Sequence, residues 1–268
     1  MPAHRVYVEP FGGAASVLMR KPRSYAEVYD DLDDEVINLF RVLRSDQAAS
    51  LADMIRLTPF AENEFRAAYD PVFDPVERTR RLIIRSFMGF GSNGHQRKTG
   101  FRSNSNRSGT TPARDWRNYA DALAAIIDRL AGVVIQNRDA ISVMEAHDSP
   151  DALHYVDPPY VAATRDPGRD YAHEMTEADH ADLLAFLRTL RGRVILSGYA
   201  HPLYDDALSD WRRVERRALA DGAHECVEVL WLNFEHEGLM CWPHPLQSPA
   251  ERRGLTLSLA AIYSFDEG

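Results

Sequence analysis

Short apolar runs alternate along the chain with longer segments in which apolar residues recur at helical spacing. Runs with the character of strands lie at 5–8, 27–29, 133–135, 153–156, 194–196 and 227–232. Helical spacing is clearest at Val36, Ile37, Phe40 and Leu43, and again through residues 116–130. Strands that alternate with helices predict an α/β fold built on a mostly parallel sheet.

A further helix is predicted to begin at Thr176. Asp179 stands three positions later, where an acidic side chain completes a capping box, although Glu is more usual there. The leucines that follow recur at helical spacing and predict a helix that packs on the sheet: Leu183, Leu184, Leu187 and Leu190.

A glycine-rich turn follows the first predicted strand. Its sequence, Glu-Pro-Phe-Gly-Gly, spans residues 9–13 and leads into an apolar helix start. Glycines let a backbone approach a ligand closely, and a strand, turn and helix in this order form a nucleotide-binding crevice. Asp31 ends the second strand 18 positions after Gly13. This is close to the spacing of about 20 at which an acidic residue reaches a ribose hydroxyl.

The loop Asp157-Pro158-Pro159-Tyr160 directly follows the run at 153–156. The amino group of a nucleobase is a poor nucleophile because its lone pair is delocalised into the ring. An ionised Asp and a backbone carbonyl, both acceptors, can take its two hydrogens, while the two prolines stiffen the turn. Taken alone, the tetrapeptide is equally compatible with an ordinary turn after a strand.

Together with the Asn-Arg-Asp sequence at 137–139, these features resemble the Dam-type (D12 class) DNA adenine-N6 methyltransferases. The resemblance covers about residues 6–234. It implies a Rossmann-like seven-stranded sheet with a smaller helical and loop subdomain for target recognition. It also implies S-adenosylmethionine as the cofactor, bound by Pro10, Phe11, Gly12, Gly13, Asp31, Asp139 and Asp157.

The resemblance further implies the catalytic roles of Asp157, Pro158, Pro159 and Tyr160. A target adenine flips out of double-stranded DNA, at a cost of a few kcal/mol, and stacks on Tyr160. Asp157 and the Pro158 carbonyl accept hydrogen bonds from N6, and the methyl group is transferred in one step. Neither a covalent enzyme intermediate nor a metal is expected.

The charge distribution is consistent with a DNA-facing surface. The chain carries a net charge of −9, yet residues 78–117 contain ten cations and one anion. Within this segment, residues 89–109 are rich in Gly, Ser and Asn, which is typical either of recognition loops or of a solvated flexible loop. The residues predicted to contact DNA are Arg85, Asn93, His95, Arg97, Lys98, Arg102, Asn104 and Arg107.

These observations divide the chain into three parts. Residues 1–60 and 115–242 are predicted to form the catalytic domain, residues 61–114 the target-recognition subdomain, and residues 243–268 a tail without an assigned role. The chain lacks a signal-peptide pattern and an apolar run of roughly 20 residues, which predicts a cytoplasmic protein. The family resemblance implies that it is associated with DNA in a bacterial cell or phage-infected host. A cognate restriction endonuclease is a candidate partner, and the oligomeric state is not predicted.

The sequence departs from the family pattern at two places, and the second leaves an alternative open. Ala15 stands where the family often has a second glycine, a small change that is expected to be tolerated. Only Met1–His4 precede the first strand, where family members usually carry a closing segment with Gly-Gly-Lys, so we expect either a misplaced start site or weaker cofactor binding than in relatives. The alternative is a weakly active or inactive methyltransferase-like protein that binds DNA or S-adenosylmethionine. Relatives that act on cytosine N4 more often carry Ser at the position of Asp157, and those acting on protein glutamine carry Asn, so Asp157 favours adenine.

Overall fold

The computed structural model describes residues 1–13, 15–89, 100–103, 111–164, 173–220 and 224–235, and its strands form one sheet. Along the sheet they run β3-β2-β1-β4-β5-β7-β6. Every adjacent pair among β1 to β5 is parallel. Strand β7 is antiparallel to both β5 and β6. The predicted α/β fold with a mostly parallel sheet of seven strands is therefore confirmed. The strands are β1 (Val6–Glu9), β2 (Ala26–Asp30), β3 (Val133–Gln136), β4 (Ala152–Val156), β5 (Arg193–Tyr199), β6 (Arg212–Ala220) and β7 (His224–Leu232).

One of these strands, β6, was not identified from the sequence. It lies at the edge of the sheet and pairs with β7 alone among the described strands. Its nine residues include five charged ones and show no regular alternation of apolar and polar positions. Charge on an edge strand hinders pairing with another molecule, and it also removes the pattern by which a strand is recognised.

The helices belong to two units of the chain. They are α1 (Ser16–Arg20), α2 (Asp34–Leu43), α3 (Ala48–Leu57), α4 (Glu62–Ala67), α5 (Pro75–Met88), α6 (Pro112–Arg117), α7 (Tyr119–Leu130), α8 (Ala140–His147), α9 (Glu177–Leu187) and α10 (Pro202–Ala207). We call the described residues of 1–33 and 132–235 the sheet unit and those of 34–131 the helical unit. Residues 34–60 and 115–131, which the sequence analysis assigned to the catalytic domain, therefore lie in the helical unit.

The sheet unit buries an apolar core on one face of its sheet. Inward-facing residues from five strands meet side chains of α8, α9 and α10 there, and Trp231 is fully buried among them. The predicted capping box of α9 is present, because Thr176 Oγ1 accepts from the Asp179 amide while the Asp179 carboxylate accepts from the Thr176 amide. Leu183, Leu184 and Leu187 are buried, as the helical spacing predicted.

Aromatic side chains form the centre of the helical unit. Phe87 of α5 packs against Trp116 and Tyr119, with ring centroids 5.2 and 5.5 Å away. The Trp116 indole nitrogen donates to the Thr58 carbonyl at 2.8 Å. The predicted continuous helix over 116–130 is interrupted at Asn118, so that Trp116 lies on α6 and Tyr119 begins α7.

Two phenylalanines of the helical unit provide a matched test of this core. Phe87 is 4% exposed, whereas Phe73 is 95% exposed. We expect F87A to lower the free energy of unfolding by about 3–5 kcal/mol, because it leaves a cavity among packed rings. F73A should change it by less than about 0.5 kcal/mol. Urea denaturation followed by circular dichroism measures both, and equal midpoints for the two variants would contradict the assignment of Phe87 to the core.

Candidate active site

The glycine-rich turn between β1 and α1 is held against the second strand. The Gly12 amide donates to the Asp30 carbonyl at 2.8 Å, and the Tyr29 hydroxyl donates to the Gly13 carbonyl at 2.5 Å. Gly12 has no space for a side chain, since a Cβ there would lie 2.0 Å from the Tyr29 ring. The turn is thus closed on one side by a buried aromatic ring.

Two residues of the turn, Gly13 and Ala15, have a backbone conformation that favours glycine. Gly13 has φ of 46° and Ala15 has φ of 54°, both in the left-handed region. An L-residue other than glycine adopts this conformation at a cost of roughly 1–2 kcal/mol. Ala15 nevertheless initiates α1, and its amide donates to the Gly12 carbonyl at 2.7 Å.

Asp31 lies beside this turn, as its spacing predicted. One of its carboxylate oxygens accepts from the Gly13 amide at 2.7 Å, and the other accepts from the Asp33 amide at the same distance. Burial raises the pKa of Asp31, although these two hydrogen bonds oppose the shift. The carboxylate therefore ties the glycine-rich turn to the loop that follows β2.

The loop after β3 joins the same edge of the sheet. The Asn137 side chain donates to the Asp31 carbonyl at 2.7 Å, and the Arg138 amide donates to Asp30 at 2.8 Å. Asp30 is fully buried, and burial raises its pKa to about 6. Asp139 is exposed and caps α8 by accepting from the Ser142 amide at 3.0 Å.

The Asp157–Tyr160 loop extends from the end of β4. Pro158 is buried, and Asp157, Pro159 and Tyr160 are half-buried. The Tyr160 ring meets that of Tyr199 edge-on, with centroids 4.6 Å apart. Pro10 is buried and Phe11 half-buried in the turn after β1, which is the adjacent strand. The structure thus places the predicted cofactor-binding and catalytic residues at the carboxyl ends of four neighbouring strands.

Electrostatics at Asp157 suit a carboxylate acceptor that titrates near neutrality. Burial, followed by the nearby charge of Glu228 on β7, raises its pKa to about 6. Hydrogen bonding from Tyr160 and Ser197 opposes this shift. Asp157 is therefore mainly ionised at pH 7 and becomes protonated in mildly acidic solution.

A second buried carboxyl, Glu9, lies at the end of β1. It is 2% exposed, and its Oε2 accepts from the Tyr7 hydroxyl at 2.6 Å and from the Leu18 amide at 3.0 Å. Burial raises the pKa of Glu9 to about 8, and the charge of Asp157 contributes to the rise. Glu9 is thus mainly protonated at pH 7, and it links β1 to the first turns of α1.

Several of these neighbours were not singled out from the sequence. Four residues near Asp157 belong to no predicted site, namely Glu9, Tyr155, Ser197 and Glu228. The same holds for Tyr199, which contacts Tyr160. The carboxyl ends of parallel strands carry the ligands in open α/β sheets. Applied to the run at 194–196, this rule would have pointed to the Ser-Gly-Tyr sequence that follows it.

Of the residues predicted to bind DNA, the structure describes only Arg85 and Arg102. Asn93, His95, Arg97, Lys98, Asn104 and Arg107 lie outside the described residues, and Arg102 is half-buried after the bridge between Gly89 and Phe101. Arg85 is engaged within the helical unit, where it donates to Glu35 at 3.1 Å and to the Ala68 carbonyl at 2.8 Å. The contacts of Arg85 are structural, because its guanidinium joins α5 to α2 and to the end of α4.

Three more arginines of the basic segment are also ion-paired inside the helical unit. Arg78 pairs with Glu35, while Arg80 and Arg81 share Glu77, which is itself on α5. The sequence count of charge over 78–117 therefore overstates what α5 offers to DNA. On α6, by contrast, Arg114 and Arg117 are exposed.

Two absences apply to the described part of the chain. No group of three or more His, Cys, Asp and Glu side chains there could hold a metal ion. No described helix is long and apolar enough to cross a membrane.

The close approach of Gly12 to Tyr29 can be tested by a double-mutant cycle. We expect G12A to lower the free energy of unfolding by about 1–3 kcal/mol, because the new methyl group meets a buried ring. In a Y29V background the same substitution should cost less, since the ring is gone. Thermal denaturation of the four proteins measures the coupling, and an equal cost in both backgrounds would refute the steric explanation.

Comparison with known proteins agrees with the geometry. The family model described as D12 class N6 adenine-specific DNA methyltransferase matches residues 1–220. A search of the curated proteins finds no match. The match spans most of the chain and includes the glycine-rich turn, Asp31 and the Asp157–Tyr160 loop. The chain therefore belongs to the D12 class of N6 adenine-specific DNA methyltransferases and is an enzyme with the Rossmann-like sheet of that fold.

Proposed function

We propose that the enzyme transfers a methyl group from S-adenosylmethionine to N6 of an adenine that is flipped out of duplex DNA. The observation that carries the proposal is the place of Asp157 at the end of β4, the strand beside β1 and its glycine-rich turn, and close to Tyr160. This arrangement combines a hydrogen-bond acceptor, an aromatic surface and a nucleotide-binding turn in one unit of the chain.

The residues at the ends of β1 to β3 suit the proposed cofactor. Gly13 is half-buried beside Asp31, and Phe11 provides a half-buried aromatic surface. The Asp31 carboxylate accepts hydrogen bonds from two amides. A carboxylate has about four lone-pair sites, so Asp31 can also accept from ribose hydroxyls. Asp139 is exposed and available to an adenine amino group. When bound, S-adenosylmethionine supplies the electrophilic methyl group.

Asp157 and the Pro158 carbonyl hold the target amino group in this proposal. Both accept hydrogen bonds, and neither Pro158 nor Pro159 has an amide that would compete as a donor. The ionised carboxylate stabilises the positive charge that develops on N6, and the fixed acceptors direct its lone pair. Tyr160 stacks on the base, and flipping costs a few kcal/mol that contacts in the pocket offset.

We further propose that duplex DNA is bound through the segment 89–109, which includes Asn93, His95, Arg97, Lys98, Arg102, Asn104 and Arg107. The exposed Arg114 and Arg117 of α6 add positive charge beside this segment in the chain. Phosphate contacts favour such cations, while Asn and Arg can also read base edges. A location in a bacterial cell or phage-infected host and a cognate endonuclease remain proposals that rest on the family resemblance.

Transfer of labelled methyl from S-adenosylmethionine to unmethylated duplex DNA tests the function directly. We expect N6-methyladenine as the product. D157A and D157N should each lower kcat by at least about 100-fold, since they remove the charged acceptor, and leave DNA affinity within about twofold. Label in cytosine, or an unchanged kcat in both variants, would contradict the proposal.

The ionisation of Asp157 predicts how activity depends on pH. Because the ionised form accepts from N6, kcat should fall below a pH of about 6, where Asp157 takes up a proton. E228Q removes a negative charge that raises this pKa, so the acid limb should move to lower pH. A profile of kcat from pH 5 to 9 measures both proteins. Identical acid limbs would show that Glu228 does not act on the acceptor.

The same raised pKa has a consequence for stability. Folded Asp157 holds its proton more tightly than the unfolded chain does, so between about pH 4 and 6 its contribution to the free energy of unfolding decreases as pH rises. The acceptor is therefore kept ionised at neutral pH at some cost to the folded state.

A further inference from the structure

Ser197 on β5 lies directly opposite the first residue of the Asp157–Tyr160 loop. In the parallel register, Tyr155 pairs with Ile195 and Val156 pairs with Leu196. Continuing this register by one residue sets Asp157 beside Ser197. Neighbouring residues in register point to the same face of a sheet, so the two side chains share one face.

The Ser197 hydroxyl is buried at the meeting point of three functional groups. Ser197 is 5% exposed, and its Oγ lies 3.4 Å from the Tyr160 hydroxyl oxygen. Hydrogen bonding by Ser197 lowers the pKa of Asp157 and of Tyr155, against the rise that burial causes in both. A serine hydroxyl has one proton and two lone pairs, so it can donate to the carboxylate and accept from the tyrosines.

We propose that Ser197 is a positioning residue for methyl transfer, whose hydroxyl holds the Asp157 carboxylate and the Tyr160 ring in the arrangement that receives the target adenine. The proposal rests on the function proposed above, in which Asp157 accepts from N6 and Tyr160 stacks on the base. Ser197 itself does not touch the reacting atoms.

The charges around Asp157 show why a fixed donor matters. On three strands and one helix its neighbours are either acidic or tyrosine side chains, namely Glu9 of β1, Tyr155 of β4, Glu228 of β7 and Tyr204 of α10. Burial and the charge of Glu228 favour the protonated form of Asp157. In that form one carboxyl oxygen carries a hydrogen and is a poor acceptor for the N6 amino group. The Ser197 hydroxyl opposes this by stabilising the ionised form and by occupying only one of its acceptor positions.

Ser197 and Ser86 form a matched pair for mutagenesis. Ser86 is also buried, at 1% exposure, but its hydroxyl donates to the Leu82 carbonyl within α5. We expect S197A to lower kcat by about 10- to 100-fold, with KM for S-adenosylmethionine and DNA changed less than about twofold. The fall of kcat at acid pH should begin at a higher pH in S197A than in the wild type. S197T should restore both kcat and the position of this acid limb, and S86A should leave both as in the wild type.

Other results would overturn the proposal. A wild-type kcat and acid limb in S197A would do so at once. A lower kcat with an unmoved acid limb and no recovery in S197T would make Ser197 a packing residue only. Should S197A fail to fold, S197C keeps the side-chain size with a weaker donor, and the same shifts are expected in smaller measure.

A measurement without turnover separates this proposal from the proposed function. Carbon-13 NMR titration of the Asp157 carboxyl, assigned by comparison with D157N, gives its pKa in the wild type and in S197A. A higher pKa in S197A supports the positioning role, and an unchanged pKa refutes it. If the wild type methylates no DNA, the proposed function fails, while this titration still decides whether Ser197 controls Asp157.

Discussion

Parallel pairing of β1, β4 and β5 brings distant parts of the chain to one edge of the sheet in this methyltransferase. Because the three strands run in the same direction, Glu9, Asp157 and Ser197 come to one edge of the sheet although they are far apart in sequence. A shift of one residue in the register between β4 and β5 would turn the side chains of Asp157 and Ser197 to opposite faces of the sheet. The arrangement of Asp157, Ser197 and Tyr160 therefore depends on how β4 pairs with β5.

The two faces of the sheet meet different demands. One face carries the apolar core with Trp231, and the close packing of that face keeps the strands in register. The other carries carboxyls and tyrosines, including Glu9, Tyr155 and Asp157, whose pKa values are all raised by burial. Burying these groups costs stability, and hydrogen bonds within the group offset only part of that cost. Such perturbed acids cluster where an enzyme needs a tuned acceptor.

The helical unit shows that charge in a sequence is not the same as charge on a surface. Arg78, Arg80, Arg81 and Arg85 share one helix, and each pairs with a glutamate of the same unit. Their side chains are 13–30% exposed, so these pairs mainly organise the packing of α5 against its neighbours. Arg114 and Arg117 of α6, which belong to the same basic segment, are exposed instead.

The sequence by itself determined the alternating order of strands and helices, the glycine-rich turn, Asp31 and the Asp157–Tyr160 loop, because each depends on neighbouring residues or on a short fixed spacing. The capping box of Thr176 was predictable for the same reason. Tertiary structure decided the rest. Strand pairing makes Ser197 and Glu228 neighbours of Asp157. The charged residues of the edge strand β6 conceal it in the sequence, and folding places Glu35 beside Arg85. Contacts between distant parts of a chain depend on register and packing, and no local pattern of residues encodes them.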